Sequence, residues 1–256
     1  MKPQRFNSFK NFLLHVHDFS SLLVEIIKNL PTVRKNHKET LKEMYVIGTQ
    51  ALLLAMLGGL FSGVILAIES GHSVEQFGAT MLISRTVSLG IIRELGPAVC
   101  GLLLASRTGA KNTSEIGAMQ LSEQIDALKA YGINPVEKLV VPRVVAAVLM
   151  FMPLTLIADA TGIIGGMFVT TSTFHVDLVY FWTTAIKVLK FKDLFVGTLK
   201  PIFFSFFIGA LSCYFGLNTK GSTTNLGKNA ISSVVISAVT VLILDFVFTK
   251  VIWEIM

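Results

Sequence analysis

Tyr45-Val-Ile-Gly-Thr-Gln-Ala-Leu-Leu-Leu-Ala-Met-Leu-Gly-Gly-Leu-Phe-Ser-Gly-Val-Ile-Leu-Ala-Ile68 runs for 24 residues without a charge. A helix of that length rises about 36 Å, enough to cross roughly 30 Å of bilayer hydrocarbon. Gly48, Ala51, Ala55, Gly59 and Ser62 recur along it at spacings of three and four, and Gly59 and Gly63 form a GxxxG. Such a stripe of small residues lets a second helix approach closely, so helix packing is its expected role. Working outward, four more apolar regions follow, at residues 81–106, 139–170, 194–217 and 230–253. The fold class expected is therefore all-α integral membrane with five spans.

Composition agrees. Of the 256 residues 52% are hydrophobic and 15% charged, and the mean hydropathy is +0.67. Soluble domains carry about 25% charged residues, so a soluble enzyme and a disordered chain are both excluded. Cys100 and Cys213 sit in apolar runs, which argues against a disulfide framework. The chain divides into an N-terminal part, residues 1–44, and a five-span domain, residues 45–256.

The N-terminal part reads as an interfacial helix with a basic junction. Phe6, Phe9, Leu13, Val16, Leu23, Ile26, Ile27 and Leu30 recur at helical spacing, but His15, His17, Asp18, Glu25 and Lys28 make the run too polar to span. Arg34, Lys35, Lys38 and Lys42 follow Pro31. Residues 174–190 read as a second interfacial helix, with Phe174, Leu178, Phe181, Trp182, Ala185 and Leu189 on one face. With alternating spans, fifteen Lys and Arg fall on the side of the N-terminus and four on the other. That asymmetry puts the N-terminus in the cytoplasm and the C-terminus outside. The +6 formal charge thus reads as orientation rather than as a nucleic-acid footprint.

Residues 107–138 then form a polar cytoplasmic segment between the second and third spans. Thr113 or Ser114 is expected to cap a helix there, and Gly132 with Pro135 to end it. Met119, Ile125, Leu128 and Tyr131 are apolar knobs among Glu115, Glu123 and Asp126, a pattern that suits either docking into a partner or a solvated loop helix. Inside the spans lie Arg93, Glu94, Asp159 and Asp245. An ionised group at mid-span costs about 2.5–3.5 kcal/mol on insertion scales, so each needs a reason. Arg93 and Glu94 make either a structural ion pair or the polar end of a lipid cavity. Asp159, ahead of Gly162 where the helix is expected to break, is a candidate cap. It and Asp245 serve either a packing network or transport.

One motif misleads. Gly221-Ser-Thr-Thr-Asn-Leu-Gly227-Lys228 is like a phosphate-binding loop, but it has one residue too many between the glycines, and Asn229 stands at the Ser/Thr position. The histidines are scattered, so no metal set is expected, and no cofactor either.

Longer motifs resemble a known family. Glu115-Ile-Gly-Ala-Met, Glu123-Gln-Ile-Asp126-Ala-Leu, Gly132-Ile-Asn-Pro135 and Val141-Pro142-Arg143 are similar to the signature of MlaE-type (YrbE-type) permeases. Arg93-Glu94-Leu-Gly96-Pro97, Ser106-Arg107-Thr-Gly109, Asp159 with Gly162, Gly165 and Gly166, Gly216-Leu-Asn218 and Leu244-Asp245 follow in the same order over roughly residues 40–253. The resemblance implies a homodimeric permease of an ABC-type phospholipid transporter in the bacterial inner membrane. Its segment 107–138 would hold the coupling helix. The expected partners are a second copy, a cytoplasmic ABC ATPase that binds ATP and Mg²⁺, a periplasmic MCE-domain protein, a STAS-type accessory subunit, and lipids. Lipid would pass to the MCE conduit, in the service of outer-membrane lipid homeostasis. Glu115, Met119, Glu123, Asp126, Leu128 and Tyr131 would contact the ATPase; Arg93, Glu94, Asp159 and Asp245 would line the lipid cavity. The chain itself would have no ATPase site. An ion-gradient-driven secondary transporter and a non-transporting scaffold are the rival readings.

Overall fold

Ten α-helices, joined or interrupted by short π and 3-10 segments, make up the chain in the computed structural model, which describes the backbone of residues 3–255 and the side chains of residues 13–251 and Glu254. The expected roles of Phe6 and Phe9 fall outside the described side chains. There is no strand among the described residues.

Five helical stretches are long and apolar enough to cross a membrane: His37–Glu75, Leu82–Leu121, Val136–Phe174, Phe191–Leu217 and Thr223–Val251. The first is α2 (His37–Glu75), after the N-terminal α1 (Pro3–Asn29). The second is one 40-residue rod. It consists of α3 (Leu82–Gly90), a π segment (Ile91–Leu95), α4 (Gly96–Leu104), a second π segment (Ala105–Gly109) and α5 (Ala110–Leu121). After the short α6 (Gln124–Ala130), a third π segment (Val136–Val140) leads into α7 (Val141–Phe174). The short α8 (Leu178–Val188) precedes α9 (Phe191–Leu217) and α10 (Thr223–Ile255).

The first three of these stretches, at 39, 40 and 39 residues, each rise about 60 Å, twice the hydrocarbon thickness. Their surplus lies at the end where α2 begins, α5 ends and the third π segment starts. The second span does not stop near Ser106 as its composition suggested. It continues because Asn112 and Thr113 are buried against α9, where the Asn112 amide donates to Ser212 Oγ at 3.3 Å and Thr113 Oγ1 to Ser212 O at 2.9 Å. Neither Thr113 nor Ser114 caps a helix, since the rod runs through both. Likewise α7 runs unbroken through Gly162, so Asp159 caps nothing. The turn expected at residues 218–229 is helical from Thr223 onward.

The crossing of α2 on α7 is the most extensive helix–helix contact. A Cβ on Gly59 would come within 2.0 Å of Ala158 O, and one on Gly63 within 1.8 Å of Gly162 O. The two backbones therefore touch, and only glycine fits at either position. The buried stripe of α2 is Ile47, Ala51, Ala55, Gly59, Gly63, Ala67 and Gly71. Ala51, Ala55 and Gly59 are as the sequence placed them. Ser62 is not: it is half-exposed and its hydroxyl donates to Gly58 O at 2.7 Å, so Gly63 holds the contact instead. Gly48 is half-buried beside Met150.

Apolar packing forms three clusters along the rods. The middle one joins Ala55, Leu104, Phe151, Phe204 and Ile208. One end joins Ile26, Ile116, Ile125, Val140 and Tyr214, and the other Ala67, Ile91, Phe174 and Phe181. On α8 only Phe181 and Ala185 are buried, whereas Leu178 and Trp182 of the expected face point outward with Ile186. Phe174 belongs to α7.

Gly63→Val should destabilise the protein by about 1–3 kcal/mol or more, because the new side chain meets backbone that cannot repack. Gly227→Ala, at a position in α10 with open space around it, should instead raise stability by up to about 1 kcal/mol, since alanine is the better helix former. Thermal unfolding in detergent distinguishes the two.

Candidate functional site

Gly96-Pro97 lies immediately after the first π segment, and this pair explains the local geometry. A proline has no N–H, so in the helix interior the carbonyl four residues back is left without its partner. Here that carbonyl is Arg93 O. It is taken up by the Lys200 ammonium of α9 at 2.8 Å. The same Nζ lies 2.8 Å from Asp245 Oδ1, 2.9 Å from Glu94 Oε2 and 3.0 Å from Thr249 Oγ1. The Thr249 hydroxyl in turn donates to Glu94 Oε2 at 2.9 Å. The Lys200 side chain is 0% exposed, while that of Glu94 is 40% exposed.

Arg93 turns to a different partner on the same face of α9. Its Nε donates to Asp193 Oδ1 at 2.8 Å, and Asp193 Oδ2 accepts the Lys190 backbone N–H at 2.9 Å. Asp193 and Lys200 are seven residues apart, two helical turns. Between them Gly197 meets the π segment, where a Cβ would come within 2.4 Å of Ile92 O. So Arg93 and Glu94, adjacent in sequence, bridge to two rungs of one helix face with a glycine contact between the rungs. In their ordinary ionisation states, Arg93, Lys200, Glu94, Asp193 and Asp245 sum to one net negative charge. The half-exposed groups, Glu94 and Arg93, are the ones that meet whatever lies outside the protomer.

Asp159 is brought to the same span but not to this cluster. It is buried beside Gly96, where a Cβ would be 1.6 Å from Asp159 Oδ1, and that oxygen has no hydrogen-bond partner among the described residues. Asp245 is in the cluster. Sequence reasoning missed Lys200, Asp193 and Thr249. The signal available was Lys200 itself: a lone lysine within the fourth span, outside the fifteen-to-four count of Lys and Arg and without a counterion nearby in sequence.

A second charged group sits at the end where the long rods extend. Lys111 Nζ is 2.7 Å from Glu43 Oε2 and 3.7 Å from Glu115 Oε1. Arg143 Nε is 3.4 Å from Glu43 Oε1, and its Nη2 is 3.0 Å from Glu115 Oε2. One turn earlier on α2, Glu39 Oε1 lies 2.6 Å from Lys138 Nζ. Both arms of the segment between the second and third spans, Lys111 with Glu115 and Lys138 with Arg143, thus converge on one face of α2.

That segment turns outward at Ser122-Glu123. Glu123 has a left-handed backbone, φ 60°, a conformation that costs a non-glycine residue about 1–2 kcal/mol. The seven-residue α6 follows and ends in a Schellman turn, with Gly132 N–H to Lys129 O at 2.9 Å and Ile133 N–H to Leu128 O at 3.0 Å. Gly132, φ 73°, stands where the sequence put the break. Glu123 and Asp126 are exposed, Leu128 is half-buried, and Tyr131 is 84% exposed. Ile125 is not a free knob: it is buried and anchors α6 to the rods. Met119 packs partly against the same core, and Glu115 is engaged by Arg143.

Five membrane-crossing rods with a charge cluster inside them define a multi-pass helical membrane protein whose centre is built to hold polar groups in lipid. The family profile of permease MlaE matches residues 40–251. A probable ABC transporter permease protein of Rickettsia typhi is 32% identical over 215 residues, covering 84% of this chain and 83% of its own. The intermembrane phospholipid transport system permease protein MlaE of Haemophilus influenzae is 31% identical over 222 residues, covering 86% and 85%. The chain belongs to the MlaE family of ABC transporter permeases.

Lys200→Met should destabilise the protein by about 3–5 kcal/mol, because Glu94 and Asp245 lose their shared cation. Adding Asp245→Asn to Lys200→Met should recover part of that loss. Both are read from thermal unfolding in detergent, and additive effects would show that the two side chains are not coupled.

Proposed function

We propose that two copies of this chain form the membrane pathway of an ABC-type phospholipid transporter in the bacterial inner membrane, with the N-terminus in the cytoplasm and the C-terminus in the periplasm. ATP and Mg²⁺ belong to a separate cytoplasmic ATPase. Lipid passes to an MCE-domain protein on the outer side, in a complex that has room for a STAS-type subunit, and the traffic maintains outer-membrane lipids. The phospholipid cargo is supported by the name of the Haemophilus influenzae relative, and the orientation by the Lys and Arg asymmetry. In this orientation α1 lies along the cytoplasmic interface with Leu13, Val16 and Ile27 toward lipid.

The observation that carries the reading is α6. It is a short helix held out from the cytoplasmic end of a 40-residue rod, and it presents Glu123, Asp126 and Tyr131. A groove on the ATPase would receive it, with Tyr131 and Leu128 as apolar contacts and the two carboxylates as polar ones. Motion of α6 then reaches the spans through Lys111 and Arg143, which bridge Glu115 to Glu43 of α2. Because α2 and α7 touch backbone to backbone, the pair moves as one body. Its displacement widens or narrows a cavity between protomers, where Arg93 and Glu94 offer a cation and an anion to a phospholipid headgroup.

Glu123→Lys with Asp126→Lys should release the ATPase on co-purification while the permease keeps its melting temperature. Retention of the ATPase by this double variant counts against α6 as the docking element. Glu43→Gln should leave ATPase binding and basal hydrolysis intact but lower lipid-stimulated hydrolysis roughly threefold to thirtyfold. Stimulation equal to wild type removes Glu43 from the relay. Lipid-stimulated hydrolysis that needs no ion gradient also separates this reading from a secondary transporter and from a scaffold.

A further inference from the structure

A cleft of about 510 Å³ opens between α1, α9 and α10. It is remote from the charge cluster: Leu211 in its wall lies about 16 Å along α9 from Lys200. The volume is in the range of small-ligand sites, about 300–1,000 Å³. Its polarity is graded. Asn218 and Asn229 line it beside the turn between α9 and α10. Leu211 and Ile236 line it seven residues further along each helix, about 10 Å deeper into the membrane. One end is therefore amide and the other hydrocarbon, and the gradient runs along two spanning helices.

The polar end is assembled rather than incidental. Tyr214 OH is 2.8 Å from His15 Nδ1, which fixes α1 across the cleft. The Asn218 amide donates to Tyr214 O at 3.0 Å, and the Asn229 amide to Thr219 Oγ1 at 3.0 Å. Next to the lining asparagines in sequence, Lys220 of the adjoining turn and Lys228 near the start of α10 are both exposed, and neither is paired with an acid among the described residues. Across the cleft, Asp18 of α1 lies 3.5 Å from His17. Val16 of α1 and Ile236 of α10, one on each wall and both exposed, leave the cleft open to the surrounding bilayer.

We propose that this cleft is a binding site for one anionic glycerophospholipid of the cytoplasmic leaflet. The phosphate sits at the rim by Lys220 and Lys228, and one acyl chain lies along Leu211 and Ile236. The gradient matches an amphiphile, whose hydrogen-bonding groups lie at one end and whose hydrocarbon chain asks for none at the other. Basic residues at a cytoplasmic membrane surface favour an anionic headgroup. The inference rests on the proposed orientation and not on the identity of the transported cargo.

The test uses the full chain purified in detergent, titrated with phosphatidylglycerol or phosphatidylcholine and read by native mass spectrometry. One phosphatidylglycerol per protomer should be retained in preference to phosphatidylcholine. Ile236→Trp on α10 and Val16→Trp on α1 fill the cleft from opposite walls at exposed positions, and each should lower that occupancy at least about tenfold. Lys220→Gln with Lys228→Gln should erase the preference, a loss of about 30-fold in phosphatidylglycerol affinity. Wild-type occupancy in both Trp variants overturns the site. Equal retention of the two lipids overturns its anionic character. A disulfide between Val16→Cys of one copy and Ile236→Cys of another shows that a second copy covers the cleft, which also overturns it. ATPase release by the α6 variant does not depend on any of these results, so either proposal stands or falls alone.

Discussion

A lysine ammonium with no contact to solvent, placed among transmembrane helices, is the constraint on which the rest of this protein depends. Lys200 holds three spans together through four oxygens, and one of them, Arg93 O, is left without its helix partner because Pro97 has no N–H. Proline, π segment and buried cation are thus parts of a single solution. The proline frees a carbonyl that would be costly in lipid, and the lysine satisfies it while itself being neutralised by Glu94 and Asp245. Removing any one part leaves another unsatisfied.

A π segment followed by a proline recurs at the end of the rods that carries α6. The π segment at Val136–Val140 is followed by Pro142, and the neighbouring Lys138 and Arg143 reach Glu39 and Glu43 of α2. Charge pairing in lipid and charge pairing at the membrane surface therefore do different work. The buried set fixes how the second, fourth and fifth spans meet. The surface set ties the loop that carries α6 to the first span, and through it to the third.

The architecture was largely legible in the sequence because lipid imposes a simple rule. Uncharged runs must be helices, and Tyr45 to Ile68 could be nothing else. Ala51, Ala55 and Gly59 lie on the buried stripe of α2, but spacing alone does not separate Ser62 from Gly63. The packing of α7 decides for Gly63, whose missing Cβ leaves room for Gly162 O. Helix ends were misplaced wherever a polar residue was buried by a neighbouring rod, as Asn112 and Thr113 were. Arg93, Glu94 and Asp245 stood out because they are expensive in hydrocarbon. Lys200 is equally expensive, but its counterions are not legible from the sequence around it. Its partners lie about 50 and 100 residues away, a separation across which no local pattern carries information.

The backbone contact between α2 and α7 has a consequence for the bilayer itself. Two helices that touch at Gly59 and Gly63 cannot change their tilts independently. A span alone adapts to a thinner or thicker membrane by leaning, at a cost of fractions of a kcal/mol per Å of hydrophobic mismatch. This pair leans together or forces the lipid to deform, so its resting inclination is set jointly by the protein and by acyl-chain length. A protein whose surroundings are made of phospholipid is in this way mechanically sensitive to which phospholipids surround it.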